Sequence, residues 1–411
     1  MKKSKLSDLA ILGGKPALHE KLFVGCPNIG SRQKLFQRIS DLLDRRQLSN
    51  NGPMVEEFER RVADFVNVKH AVAVCNATLG LELAIRALGL SGEVIVPSMT
   101  FIATAHALQW HGIKPVFCDI DPQTHNIDPK RVEELITPNT TGVIGVHLWG
   151  RPCDVEGLSA ITQRHGLKLL FDSAHAFGCT HRGKKIGGFG AAEVFSFHAT
   201  KVLNSLEGGM ITTNDGELAD KLRLMRNFGF AGFDHVICLG TNAKMHEISA
   251  AMGITSLESF SYFVERNLHN YDQYRREIAP VAGVKMLAYD GAESCNYQYI
   301  VLEVDPEITG ISRDDLIQVL WAENAIARKY FAPGCHNMPV YQSPGSEIDP
   351  PLLVTEQLAD RLLILPTGTI VGAKEIDQVC GILKLAVENG ARLSGLLRNR
   401  DVEQLVASKA A

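Results

Sequence analysis

Ser196-Phe197-His198-Ala199-Thr200-Lys201, running on to Leu206-Glu207-Gly208-Gly209, stands between two apolar runs, Ala192-Glu193-Val194-Phe195 and Met210-Ile211-Thr212-Thr213. A lysine five residues after a strand-end serine, on a connection between strands, can lose enough solvent to act as a nucleophile toward an aldehyde. Upstream, the apolar run Leu169-Leu170-Phe171 ends in Asp172-Ser173-Ala174-His175 and so places a carboxylate at the mouth of a buried strand. Each residue alone has a bland reading. Most lysines are solvated surface charges, and a strand-end aspartate commonly caps the helix that follows.

Together they have a sharper one. A Schiff-base lysine and an aspartate for a pyridinium nitrogen are the pair that a pyridoxal 5'-phosphate (PLP) enzyme requires. Other residues fall in matching places. Ala77, Thr78 and Leu79 follow the apolar strand Ala71–Cys75 directly and open a helix, where N–H groups and the helix dipole suit a phosphate. Ser196 offers a second hydroxyl to the same phosphate. Phe101 follows Val94-Ile95-Val96-Pro97 and is placed to stack on a pyridine face, and His175 to reach a phenolic oxygen. The alternatives are an ordinary helix start, a satisfied serine, a core aromatic and a buried histidine.

The strands 71–75, 94–97, 115–121, 143–148, 167–172 and 193–196 do not alternate in polarity and are separated by helical stretches. Such strands form a mostly parallel sheet covered on both faces, with ligands beyond its carboxyl ends. The fold class expected is therefore α/β. At 411 residues the chain exceeds one compact core. A large domain over 1–265, N-terminal arm included, and a smaller C-terminal α/β domain over 266–411 are expected. In the second half, 245–285 reads as helical, Tyr297–Val304 as a strand, Arg313–Glu323 as a helix and 332–347 as a loop. A last helix starts at Lys374, and the polar tail beyond Arg398 is expected to fray.

The bulk composition excludes several classes. A net charge of -4 without a basic run argues against nucleic acid. No apolar run approaches a membrane span, and Leu9-Ala10-Ile11-Leu12 is too short for a secretory core. Nine scattered cysteines, never spaced Cys-x-x-Cys, fit free thiols in a reducing cytoplasm. No metal-ligand spacing is present. The nearest dinucleotide pattern, Gly188-Phe189-Gly190, lacks a third glycine and precedes a strand, so a nicotinamide site is rejected.

On these stretches, joined by Leu48–Pro53, Gly240-Thr241-Asn242-Ala243-Lys244 and Arg361–Pro366, the chain resembles the sugar aminotransferases of PLP fold type I, the DegT/StrS-type family. The similarity runs from about Leu9 to Val387. It implies PLP, cycling through pyridoxamine 5'-phosphate, with L-glutamate or glutamine as donor and a nucleotide-linked keto-deoxysugar as acceptor. It also implies a homodimer in which Asn242 reaches the cofactor phosphate of the partner, and a C-terminal substrate loop carrying Arg328, Tyr330 and His336. Two departures stand out: Leu206 where the family often has glycine, and Ala199 where it commonly has proline. The His-Ala-Thr-Lys form resembles members that aminate C4 of a 4-keto-6-deoxyhexose. A PLP-dependent sugar dehydratase, an inosose aminotransferase and a non-catalytic PLP sensor are the competing readings. Related dehydratases carry histidine where Lys201 stands, which argues against the first.

Overall fold

The structure, a computed structural model, describes residues 3–342 and 350–399. The fold is α/β. Its main sheet has seven strands: β1 (His70–Val74), β2 (Glu93–Pro97), β3 (Lys114–Cys118), β4 (Thr140–Val146), β5 (Lys168–Asp172), β6 (Ala192–Ser196) and β7 (Gly209–Thr213), in the order β1-β7-β6-β5-β4-β2-β3. All pairings are parallel except those of β7, which runs antiparallel to both β1 and β6. Successive side chains bury on opposite faces. Val72, Val74, Leu170 and Val194 join one apolar cluster, while Ala71, Ala73, Phe171 and Phe195 join clusters on the other face. This double burial is why the strand sequences do not alternate.

Helices follow the strands. Gly52 and Pro53 end the loop after α1 (Arg32–Arg45) and start α2 (Pro53–Val66). The buried Glu247 carboxylate accepts from the free N–H groups of Met54 and Val55 at 2.9 and 3.0 Å, so a charge caps that dipole. Asn76 caps α3 (Ala77–Ala87), and α4 (Ala103–Gln109) follows β2.

The expected helical stretch 245–285 is two helices, α5 (Glu247–Glu258) and α6 (Phe260–Ile278), broken at Ser259. Residue 265, the expected boundary, lies inside α6. Phe260 and Phe263 pack in the core beside α2, whereas Tyr271, Tyr274 and Ile278 pack in the core of the C-terminal lobe. One helix serves both cores, so the chain has no linker there.

That lobe holds a three-stranded antiparallel sheet, β8 (Val284–Met286), β9 (Ile300–Val304) and β10 (Leu362–Leu365), with α7 (Arg313–Ala322) and α8 (Ala373–Glu388). The N-terminal arm belongs to it, contrary to expectation. Leu9, Ala17, Leu18 and Leu22 are buried among the lobe's side chains. The fully buried Glu323 carboxylate fixes the arm, accepting from Ala10 N–H at 2.7 Å and Ala17 N–H at 2.6 Å and pairing with Lys3 at 3.2 Å. Leu22–Phe23 then pairs with Ala325–Ile326 as a short parallel ladder.

Several strand ends also differ from the sequence reading. β3 stops at Cys118, β4 stops at Val146 before a tight turn over Leu148–Gly150, and β9 starts only at Ile300. The tail beyond residue 399 and positions 343–347 of the expected loop lie outside the described residues. Among the described residues, no helix is long and apolar enough to cross a membrane, and no cluster of histidine, cysteine or acidic residues is arranged to hold a metal. All nine cysteines are free thiols, six of them buried.

Candidate active site

The carboxyl ends of β1, β2, β5 and β6 surround a cavity of about 300 Å³. Lys201 and Asp172 both line it, as do Ala77, Thr78, Phe101, His175, Ser196 and Tyr330. Asp172 is the last residue of β5 and is buried. Its Oδ2 accepts from Thr104 Oγ1 at 2.8 Å and its Oδ1 from the Ala174 N–H at 3.1 Å. Burial pushes its pKa up, while these two donors and the nearby Lys201 charge pull the other way.

Lys201 sits on the β6–β7 connection, which is fastened at both ends. Phe197 N–H donates to Gly208 O and Ser205 N–H to Phe197 O, both at 2.8 Å. Loss of solvent lowers the amine's pKa to about 8, with the Asp172 charge opposing that fall. Its Nζ lies 3.3 Å from the hydroxyl of the buried Tyr299, just before β9. A far larger share of this amine is unprotonated near neutral pH than in an ordinary lysine, which suits a nucleophile or base.

The start of α3 forms an anion cradle. Ala77 and Thr78 N–H groups have no partner among the described residues, whereas the Leu79 N–H is taken by the Asn76 side chain at 2.9 Å. Leu79 is thus a member of the cap, not of the cradle. β7 approaches so closely that a methyl group added to Gly209 would lie 2.8 Å from Ala77 N. His175 accepts the Trp149 N–H on Nδ1 at 3.3 Å, which leaves its Nε2 as the donor. Burial holds its pKa well below the usual histidine value, so the ring is neutral. Phe101 is half exposed, edge-on to Phe331 at 6.3 Å.

Three expected residues stand elsewhere. Asn242 is exposed and outside this cavity, its Oδ1 accepting from Lys244 at 2.7 Å. Arg328 is exposed and stacks its guanidinium over the Tyr330 ring at 5.0 Å. His336 is buried, bonded through Nδ1 to Ser98 at 2.5 Å and through Nε2 to Glu356 at 3.2 Å. It props the loop after β2 and is not a cavity wall. The residues missed were Thr104, Tyr299, Thr200, His198, Glu207 and Phe331. The last four stand within or beside quoted stretches, whereas Thr104 and Tyr299 carry no local signal.

The fold and donor set agree with one family. Residues 30–384 match the DegT/DnrJ/EryC1/StrS aminotransferase family. The chain belongs to that family. It is 35% identical over 367 residues to dTDP-4-amino-4,6-dideoxy-D-glucose transaminase of Shigella dysenteriae, covering 89% of this chain and 99% of that enzyme. It is 33% identical over 367 residues to GDP-perosamine synthase of Caulobacter vibrioides, covering 88% and 97%. Its fold is similar to that of DesI, solved in the presence of its TDP-sugar product, with a TM-score of 0.92, 49% identity and coverage of 96% and 100%. As a DegT/DnrJ/EryC1/StrS member this chain is a sugar aminotransferase of PLP fold type I. The cavity fits PLP. It presents a lysine of lowered pKa, a buried carboxylate, a neutral histidine donor and unpaired N–H groups for a phosphate.

Proposed function

We propose that this protein transfers an amino group from L-glutamate or glutamine to C4 of a nucleotide-linked 4-keto-6-deoxyhexose. The observation that carries the reading is the meeting of Lys201 and Asp172 in one cavity with the open N–H groups of Ala77 and Thr78. The names of the dTDP- and GDP-sugar relatives support the substrate class.

When bound, PLP supplies an electron sink for the carbanion formed at the reacting carbon. Asp172, ionised and buried, would hold the proton of the pyridine nitrogen. Ala77 and Thr78 N–H and the Thr78 and Ser196 hydroxyls would grip the phosphate, and Phe101 would cover one ring face. The Lys201 amine would take the proton from the donor's α-carbon and, in the second half-reaction, deliver one to C4 of the sugar. Arg328 and Tyr330 would meet the nucleotide diphosphate and sugar, a guanidinium suiting phosphate oxygens in pairs.

The working unit would be a homodimer in the cytoplasm. Asn242, exposed and outside its own cavity, would serve the cofactor phosphate of a second copy.

The test is product mass after incubation with L-glutamate and a panel of nucleotide-linked keto sugars, alongside an inosose. Amination of a 4-keto sugar is expected, with borohydride fixing the cofactor to Lys201. Turnover of the inosose alone would overturn the substrate assignment. Asp172→Asn should retain cofactor and lose turnover by orders of magnitude, and near-normal turnover would remove the carboxylate from the mechanism.

A further inference from the structure

We propose that a second cavity, between the turn that follows β3 and the C-terminal lobe, binds a phosphate-like oxyanion. The cavity is about 310 Å³ and shares no lining residue with the catalytic one. Gln123, His125, Arg151 and Lys285 line it, with Leu287 and Val301 as apolar walls.

Its polar side is mostly donors, with one carboxylate, Glu303, among them. The Arg151 guanidinium is partly buried, and its one hydrogen bond among the described residues goes from Nη1 to Gln123 O at 2.8 Å. Burial works against its charge, and among the described residues neither Arg151 nor Lys285 has a carboxylate in ion-pair range. Part of the cost of desolvating Arg151 is offset through space by Asp121, and an anion in the cavity would offset the rest. Two acids are near: Asp121 acts through space on Arg151 and His125, and Glu303 stands across the ladder from Lys285. Asp121 Oδ1 accepts from Gln123 and Thr124 N–H at 2.9 and 2.7 Å, and Glu303, also on the lining, faces Arg361 at 3.9 Å.

His125 completes the set. Its Nδ1 accepts from Trp149 Nε1–H at 3.3 Å, so a neutral ring carries its proton on Nε2 and can donate. Burial, then Arg151 and Lys285, lower its pKa to about 4, so it is neutral at pH 7. Both His125 and Trp149 hold φ at 61°, a region that non-glycine residues rarely occupy.

Trp149 also reports on the catalytic side. Its ring stacks on Phe331 at 5.5 Å and lies 5.3 Å from Tyr299, whose hydroxyl meets Lys201. A change at His125 therefore reaches an indole that borders both groups. The chain has three tryptophans, and the other two, Trp110 and Trp321, are exposed.

The test is titration of the PLP-loaded protein with inorganic phosphate, followed by calorimetry and tryptophan fluorescence. Saturable binding is expected, weakened about tenfold in Arg151→Gln and in Lys285→Gln, as loss of one charge-assisted contact implies. Arg328→Gln should bind phosphate as the wild type does. Lys285→Gln, on an exposed side chain, should keep wild-type turnover in phosphate-free buffer, and it carries the test if Arg151→Gln fails to fold. A nucleoside monophosphate titrated the same way separates a phosphomonoester from the free ion. Binding of either through Arg151 and Lys285 supports the site. Absence of saturable binding, or equal affinity in wild type and both variants, overturns it.

Discussion

At the scale of single residues, Asp172 holds a charge that its burial opposes, and Thr104 supplies one of the two hydrogen bonds that sustain it. Thr104→Val removes the donor and keeps the shape. The carboxyl pKa should rise further, the acid limb of the kcat profile should move to higher pH, and Thr104→Ser should restore it. Lys201 gives a second prediction. Its folded-state pKa, about 8, lies below the usual lysine value, so below pH 8 the cost of burying the ammonium is fully present. Between pH 8 and the usual lysine range the unfolded chain holds more protons, and stability of the cofactor-free protein rises with pH. Lys201→Met should therefore stabilise that form by on the order of 1–2 kcal/mol at pH 7. The gain should fade in urea titrations at rising pH. Lys201, Asp172 and Thr78 were legible because each follows an unbroken apolar run. Thr104 and Tyr299 were not, because they come from a helix face and a loop whose meeting with the site only the fold creates. His336 was misplaced for the same reason: its sequence neighbours say nothing of Ser98 and Glu356.

At the scale of elements, the anion cradle depends on β7 lying hard against the start of α3. Gly209→Ala would set a methyl 2.8 Å from Ala77 N and 2.9 Å from Asn76 C, and backbone must yield. About 1–3 kcal/mol of stability should be lost. Cofactor affinity should fall with it, measured by dialysis against graded PLP. If affinity holds while stability drops, the cradle is not where the phosphate sits. Double burial made the parallel strands easy to place from sequence. The reversed sense of β7 was not readable, because a run such as Met210–Thr213 buries equally well in either direction. Strand ends at Cys118 and Val146 were overrun because apolar residues continue past the last ladder bond into packed turns.

At the scale of the molecule, Phe228, Phe230, Phe233, Val236, Ile237 and Leu239 are all exposed on one excursion between helices, and Phe233 is wholly so. A soluble chain rarely leaves such a patch uncovered, and a second copy is the proposed cover. Phe233→Glu should leave the thermal stability of the single chain nearly unchanged, shift sedimentation toward the monomer and cut turnover. A variant that stays dimeric would place the interface elsewhere. Length and pattern suggest two domains with a border at 265, yet α6 contributes to both cores and the arm crosses over to Glu323. That crossing has a consequence for how the protein is made. Residues 9–22 leave the ribosome long before Glu323 and meet their partner only after it has emerged, so their docking belongs among the last events of folding. A bulky purification tag at the amino terminus would burden that step, and halves expressed from a gene split at 265 would each lack part of what they pack against.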